Sequence, residues 1–102
     1  MAPLIDNHRQ QIAQLCRRYC VRRLELFGSA VAGDFSAGTS DVDFLVEFEP
    51  LQLGEHADAY FGLRESLEKL LSRPVDLVMT RAIRNPYFLE SVNASRTLVY
   101  AA

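Results

Sequence analysis

Asp41 and Asp43 stand two residues apart in the segment Asp41-Val42-Asp43-Phe44-Leu45-Val46-Glu47-Phe48. In an extended strand alternate residues share a face, so both carboxylates project to one side with alpha carbons roughly 6.5–7 Å apart. Carboxylates at that spacing can converge on divalent ions. Magnesium suits them, because it prefers hard oxygen ligands and usually takes one or two carboxylates plus substrate phosphates. The pair alone decides little, since six aspartates in 102 residues yield about 0.35 such pairs by chance.

Other residues add to it. Gly28-Ser29 ends the strand that precedes the pair. A glycine without a side chain lets a phosphate approach the backbone, and Ser29 adds a hydroxyl and an amide hydrogen. A helical turn from Ala30 would aim its positive end at the same phosphate. Asp76 interrupts the apolar run Val75-Asp76-Leu77-Val78-Met79, on the face opposite Val75, Leu77 and Met79. Three aspartates on one face of a sheet repel one another unless a cation sits among them. Asp41 and Asp43 are therefore expected to hold two magnesium ions about 3.5–4 Å apart, one activating the attacking oxygen and one binding the triphosphate and leaving group. Asp76 completes the nucleophile-side site or accepts the proton of the attacking hydroxyl.

The elements that must position these residues can be read from periodicity. Ile5, Ile12, Leu15, Cys16 and Tyr19 give helical spacing over about residues 4–19, with Pro3 placed to start the helix. Leu24, Leu26 and Phe27 make a short strand after Arg22-Arg23. Residues 35–40 read as a loop. In the strand 41–48, Val42, Phe44, Val46 and Phe48 share the apolar face, while Asp41, Asp43, Leu45 and Glu47 share the other. The longest helix is expected over 55–71, its stripe formed by Tyr60, Phe61, Leu63, Leu67, Leu70 and Leu71. A third strand follows at 75–79. Thr80 can cap a short turn, Pro86 can open a helix to about Asn93, and residues 97–100 make a last strand. This order fits a small sheet with helices on one face.

Composition sets the limits. A chain of 102 residues that is 49% hydrophobic and 24% charged has the balance of one globular domain, so residues 1–102 are expected to form a single unit. A net charge of −2 argues against a protein that grips nucleic acid by its backbone, but leaves room for a nucleotide whose charge a metal ion meets. No stretch approaches the ~20 apolar residues of a membrane span, and Asp6, His8 and Arg9 speak against a signal peptide. Cys16 and Cys20 match no metal or redox spacing and read as free thiols of a cytoplasmic protein. His8 and His56 read as surface residues. Arg17, Arg18, Arg22 and Arg23 read as a solvated helix end, with a partner or RNA docking surface as the alternative.

Gly28-Ser29, Asp41-x-Asp43 and the distal Asp76, taken together, resemble the minimal nucleotidyltransferases (MNT) of the DNA polymerase β superfamily, in particular those paired with HEPN proteins. The resemblance runs from about Leu24 to Tyr100. It implies an α/β (α+β) fold, a small mixed sheet with helices packed on one face. It implies magnesium-dependent transfer of a nucleoside monophosphate from ATP or another NTP, with release of pyrophosphate. For the HEPN-paired branch it implies an antitoxin that adenylylates a tyrosine of its HEPN toxin. Gly28 and Ser29 fall on the nucleotide-binding positions, Asp41 and Asp43 on the metal pair, and Asp76 on the third carboxylate. Two positions depart from the pattern. Eleven residues, 30–40, separate Ser29 from Asp41, one more than usual, and Ala32 stands where many members carry arginine. Ala32 is the feature that favours a second reading, a binding module that neutralises its partner by occlusion. A small-molecule nucleotidyltransferase is a third reading, disfavoured because no added acceptor-binding region is present. A domain this small can build a catalytic sheet but hardly a whole acceptor pocket, so a partner protein or a second copy of the chain is expected to supply the missing wall.

Overall fold

The computed structural model describes residues 3–27, 42–50, 54–79 and 85–102. Along these the order is α1 (Pro3–Asp6), α2 (Arg9–Arg18), β1 (Val21–Phe27), β2 (Val42–Phe48), α3 (Glu55–Leu71), β3 (Val75–Met79), α4 (Pro86–Ser95) and β4 (Thr97–Ala101). The expected turn at Ala30, the loop at 35–40 and the cap at Thr80 lie outside the described residues.

The strands form one sheet in the order β3-β2-β1-β4. β1 runs antiparallel to β2 and to β4, whereas β2 and β3 are parallel, with α3 as the crossover that parallel neighbours require. The sheet is therefore mixed. β1 is longer than its apolar residues suggest. It begins at Val21, and Arg22 and Arg23 within it pair with Glu47 (3.8 Å) and Glu25 (2.9 Å).

The alternation read from β2 sorts its residues to the two faces. Val42, Phe44, Val46 and Phe48 are buried together with Leu24, Leu26, Val75 and Leu77 on one face, under Ile5, Ile12 and Cys16 and under Ala59, Leu63, Leu67 and Leu71 of α3. Each such side chain removed from water contributes about 1.5–3 kcal/mol, so this is the layer that holds the domain together. The expected first helix is two helices. His8 adopts φ −119° and ψ 12°, outside helical geometry, yet Ile5 and Ile12 remain on one side and reach the same core.

Phe61 departs from the expected stripe of α3 and is 59% exposed. Two residues along a helix is about 200° of rotation, which turns Phe61 away from the line through Ala59, Leu63 and Leu67. The opposite face of the sheet carries a smaller cluster. There Phe27 and Leu45, with Val78 beside them, pack against Val92 of α4. Helices α2 and α3 thus share one face as expected, and α4 adds cover to the other.

Candidate active site

Asp43 and Asp76 are register partners across the parallel strands β2 and β3. Partners on adjacent strands lie about 4.8 Å apart in the direction of the backbone hydrogen bonds and project to the same face. That face is the one carrying Leu45, Val78 and Phe27, away from the main core. Asp43 is half-buried and Asp76 exposed. Two carboxylates are thus carried by neighbouring strands on one face of the sheet, an arrangement that a cation between them would favour.

The strands are fixed where they carry these aspartates. The Val42 N–H donates to the Pro74 carbonyl at 2.9 Å, which locks the start of β2 to the start of β3. On its other side Asp43 is the register partner of Phe27, the last residue of β1. Phe27, Asp43 and Asp76 thus form a row across three strands, one aromatic residue beside two carboxylates. Phe27 is buried against Leu45 and Val92, giving the row an apolar flank.

Of the five site residues expected from the sequence, the structure brings Asp43 and Asp76 together. Gly28, Ser29 and Asp41 lie outside the described residues. Among the described residues no group of three His, Cys, Asp or Glu side chains is gathered for a metal ion. As a donor set, two adjacent carboxylates offer the hard oxygens that magnesium takes from proteins, which usually supply one or two and leave the rest to water and phosphate. The residues present fit that ion.

One buried charge on the same face was not foreseen. Glu25 is 4% exposed. It accepts from Arg96 Nε at 2.8 Å and Nη2 at 2.5 Å, and from Arg23 Nε at 2.9 Å. The Arg96 hydrogen bonds hold its carboxyl below the ordinary glutamate range, against the opposing effect of burial. Arg96 joins α4 to β4, so this pair ties the cover of the site face to the strand that leads into Gly28. Sequence reading had no handle on it, because Glu25 and Arg96 meet only when the sheet forms.

The remaining expectations resolve simply. Both cysteines are free; Cys16 is buried and Cys20 exposed. His8 and His56 are half-buried, and the His56 ring stands edge-on to Phe48 at 6.3 Å. Arg17 and Arg18 close the last turn of α2, as expected. A cavity of about 240 Å³ lies between the end of α2 and the start of α3, lined by Arg18, Tyr19, Cys20, Glu55, Asp58 and Ala59. It is at the Phe48 end of the sheet, about 16 Å along β2 from Asp43.

Residues 8–99 match the nucleotidyltransferase domain family. The chain belongs to that family. Within it this nucleotidyltransferase is a minimal domain of the DNA polymerase β superfamily. It is 37% identical over 75 residues to a Methanocaldococcus jannaschii protein provisionally named protein adenylyltransferase MJ1379, covering 74% of this chain and 73% of that one. It is similar to a solved structure of a provisionally assigned minimal nucleotidyltransferase, with a TM-score of 0.75, 31% identity and 95% of each chain covered. Two solved toxin–antitoxin complexes share the fold. One contains AMP-PNP (TM-score 0.70, 23% identity, 92% of this chain and 73% of that one). The other is a tri-AMPylated Shewanella oneidensis HEPN toxin in complex with MNT antitoxin (TM-score 0.65, 20% identity, 96% and 73%). No helix among the described residues of this nucleotidyltransferase is long and apolar enough to cross a membrane.

Proposed function

We propose that this nucleotidyltransferase moves AMP from ATP to a hydroxyl of a partner protein, and that the partner is a HEPN toxin which the chain thereby restrains. The observation that carries the reading is the side-by-side placement of Asp43 and Asp76. The family assignment, the adenylyltransferase name of the archaeal relative and the AMP-bearing HEPN complex of the structural neighbour support the choice of nucleotide and partner.

Asp43 and Asp76, with Asp41 one residue before Val42, are the carboxylates assigned to hold magnesium. Bound there, magnesium supplies charge neutralisation for the triphosphate and lowers the pKa of the attacking hydroxyl. Gly28 and Ser29 are assigned to the phosphates. Gly28 follows Phe27 directly in the sequence, and Phe27 is the register partner of Asp43. Asp76, the exposed member, stands on the acceptor side. As the acceptor oxygen bonds to the α-phosphorus, the bond to the β-phosphate oxygen breaks, pyrophosphate leaves, and the hydroxyl proton passes toward the Asp76 carboxylate. The apolar flank of Phe27, Leu45 and Val92 keeps water from one side of that row.

The test is transfer of label from α-labelled ATP to a co-encoded HEPN protein. Asp41→Ala and Asp43→Ala are expected to abolish labelling. Absence of transfer from every NTP would reject the reading. Neutralisation of the toxin that survives Asp43→Asn would replace transfer with occlusion.

A further inference from the structure

We infer that Glu68 and Tyr60 of α3 are positioning residues for Asp76, clamping the edge strand β3 on both sides of that aspartate. The inference rests on the assignment of Asp76 to the metal- and acceptor-side carboxylate. Among the described strands β3 lies at the edge of the sheet, and it is five residues long. Its inner groups pair with β2, beginning with the Pro74 carbonyl, which accepts from Val42 N–H. Backbone groups alternate along a strand. Pro74 and Asp76 therefore turn theirs toward β2, and Val75 and Leu77 turn theirs to the open edge.

The structure fills those outward positions from one helix. The Val75 N–H donates to Glu68 Oε2 at 3.0 Å, and the Tyr60 hydroxyl donates to the Leu77 carbonyl at 2.6 Å. Both are half-buried. The residue before Asp76 is thus held by its amide and the residue after it by its carbonyl. Tyr60 is steadied in turn by an edge-on contact with Phe61, ring centres 5.2 Å apart. Glu68 and Tyr60 lie two turns apart on α3, so the helix acts as a rigid bar gripping β3 at two points. The grip on Val75 comes from a carboxylate and the grip on Leu77 from a phenol hydroxyl. An unclamped edge strand would be free to fray or rotate, and the Asp76 carboxylate would then drift from Asp43. Partners bonded directly to a metal ligand are worth about 10–100-fold in metal affinity, and a clamp one residue away from the ligand is set at the lower end of that range.

The experiment measures binding of Mn2+, as a probe for magnesium, to the full chain with a non-hydrolysable ATP analogue, alongside amide exchange at Val75 and thermal melting. Glu68→Ala and Tyr60→Phe are each expected to weaken Mn2+ binding about tenfold. Glu68→Ala is expected to speed exchange at Val75. Glu68→Gln, whose amide oxygen can still accept from Val75 N–H, is expected to restore binding to within about twofold, with exchange near the wild-type rate. Tyr60→Phe keeps the ring and guards against a failure of folding. Variants that melt earlier but bind Mn2+ as tightly as wild type would overturn the inference, as would Glu68→Gln behaving like Glu68→Ala. Asp76→Asn separates the two levels of the argument. If it abolishes Mn2+ binding while the clamp variants do not weaken it, the clamp alone is refuted. If Asp76→Asn leaves binding unchanged, the carboxylate assignment falls and the clamp's role falls with it.

Discussion

The guanidinium of Arg96 grips the buried carboxylate of Glu25 through two nitrogens, Nε at 2.8 Å and Nη2 at 2.5 Å. This planar fork fixes the α4–β4 junction to β1 in both distance and angle. Arg96→Ala leaves Glu25 buried with Arg23 as its remaining charged partner. Removing one member of a buried pair costs about 3–5 kcal/mol, and the surviving Arg23 contact places this case at the lower end. Equilibrium urea unfolding should report about 3 kcal/mol, and Arg96→Lys should recover only part of it, because an ammonium cannot form the fork.

The same pair sets an acid limit. The Glu25 carboxyl is lowered in the folded chain, first by its hydrogen bonds to Arg96. A carboxyl that is more acidic folded than unfolded stabilises the fold above its unfolded value, near 4.3. That stability is lost as pH falls below this value and through the lowered folded pKa. Thermal melting between pH 7 and pH 3 should show a loss that Glu25→Gln flattens.

Gly62 lies where α3 meets the ring of Tyr19. A methyl group at Gly62 would sit 2.5 Å from Tyr19 Cε1 and 3.1 Å from Cζ. The ring would have to move, and the Tyr19 hydroxyl contact with Ser66 Oγ at 3.3 Å would go with it. Overpacking costs about 1–3 kcal/mol, against about 1 kcal/mol gained by replacing glycine with alanine in a helix. Gly62→Ala should therefore destabilise the chain by about 1 kcal/mol. The penalty should vanish when Tyr19→Leu is present, a non-additivity that a double-mutant cycle would show.

Cys16 and Cys20 should differ sharply in reactivity. Burial pushes the Cys16 thiol up to about 12, so at neutral pH it carries almost no thiolate. Cys20 is exposed. A thiol-titrating reagent should modify one group per native chain and two in denaturant. Two fast-reacting thiols in the native state would contradict the packing of Cys16.

These tests bear mostly on features the sequence hides, and the reason is physical. The boundaries of α3 at Glu55 and Leu71, and of β3 at Val75 and Met79, are legible because Pro74 separates two strong periodic patterns. The faces of β2 are legible because its apolar residues alternate with Asp43 and Glu47. The break at His8 is not, since Ile5, Ile12 and Cys16 keep one helical phase across it. Nor is the start of β1, where Arg22 and Arg23 hide a strand whose charged ends pair with Glu47 of β2 and with Glu25 two residues along β1. Asp43 and Asp76 announce themselves because each carries charge into an apolar run. Glu68 and Tyr60 do not. Their sequence positions look like an ordinary helix surface and an ordinary core stripe, and their bonds to β3 exist only once helix and edge strand are packed.

Asp43 and Asp76 yield a prediction with two opposite signs in one variant. Asp43 and Asp76 are register partners, and like charges directly opposite one another on a sheet are destabilising. In the presence of a chelator, Asp76→Asn should therefore melt as high as wild type or a few degrees higher, given that about 1 kcal/mol moves the midpoint of a domain this size by 4–8 °C. With magnesium and NTP the order should reverse. A ligand that binds only the folded chain raises stability by RT ln(1 + [L]/Kd), which at a hundredfold excess over Kd is about 2.7 kcal/mol. Wild type should gain that shift and Asp76→Asn should not, and Asp41→Asn should lose it as well. A scan in which Asp76→Asn is destabilised without metal and still stabilised with it would assign the aspartate to holding the sheet together. The crossing of the two curves is the signature of repulsion that a bound cation relieves.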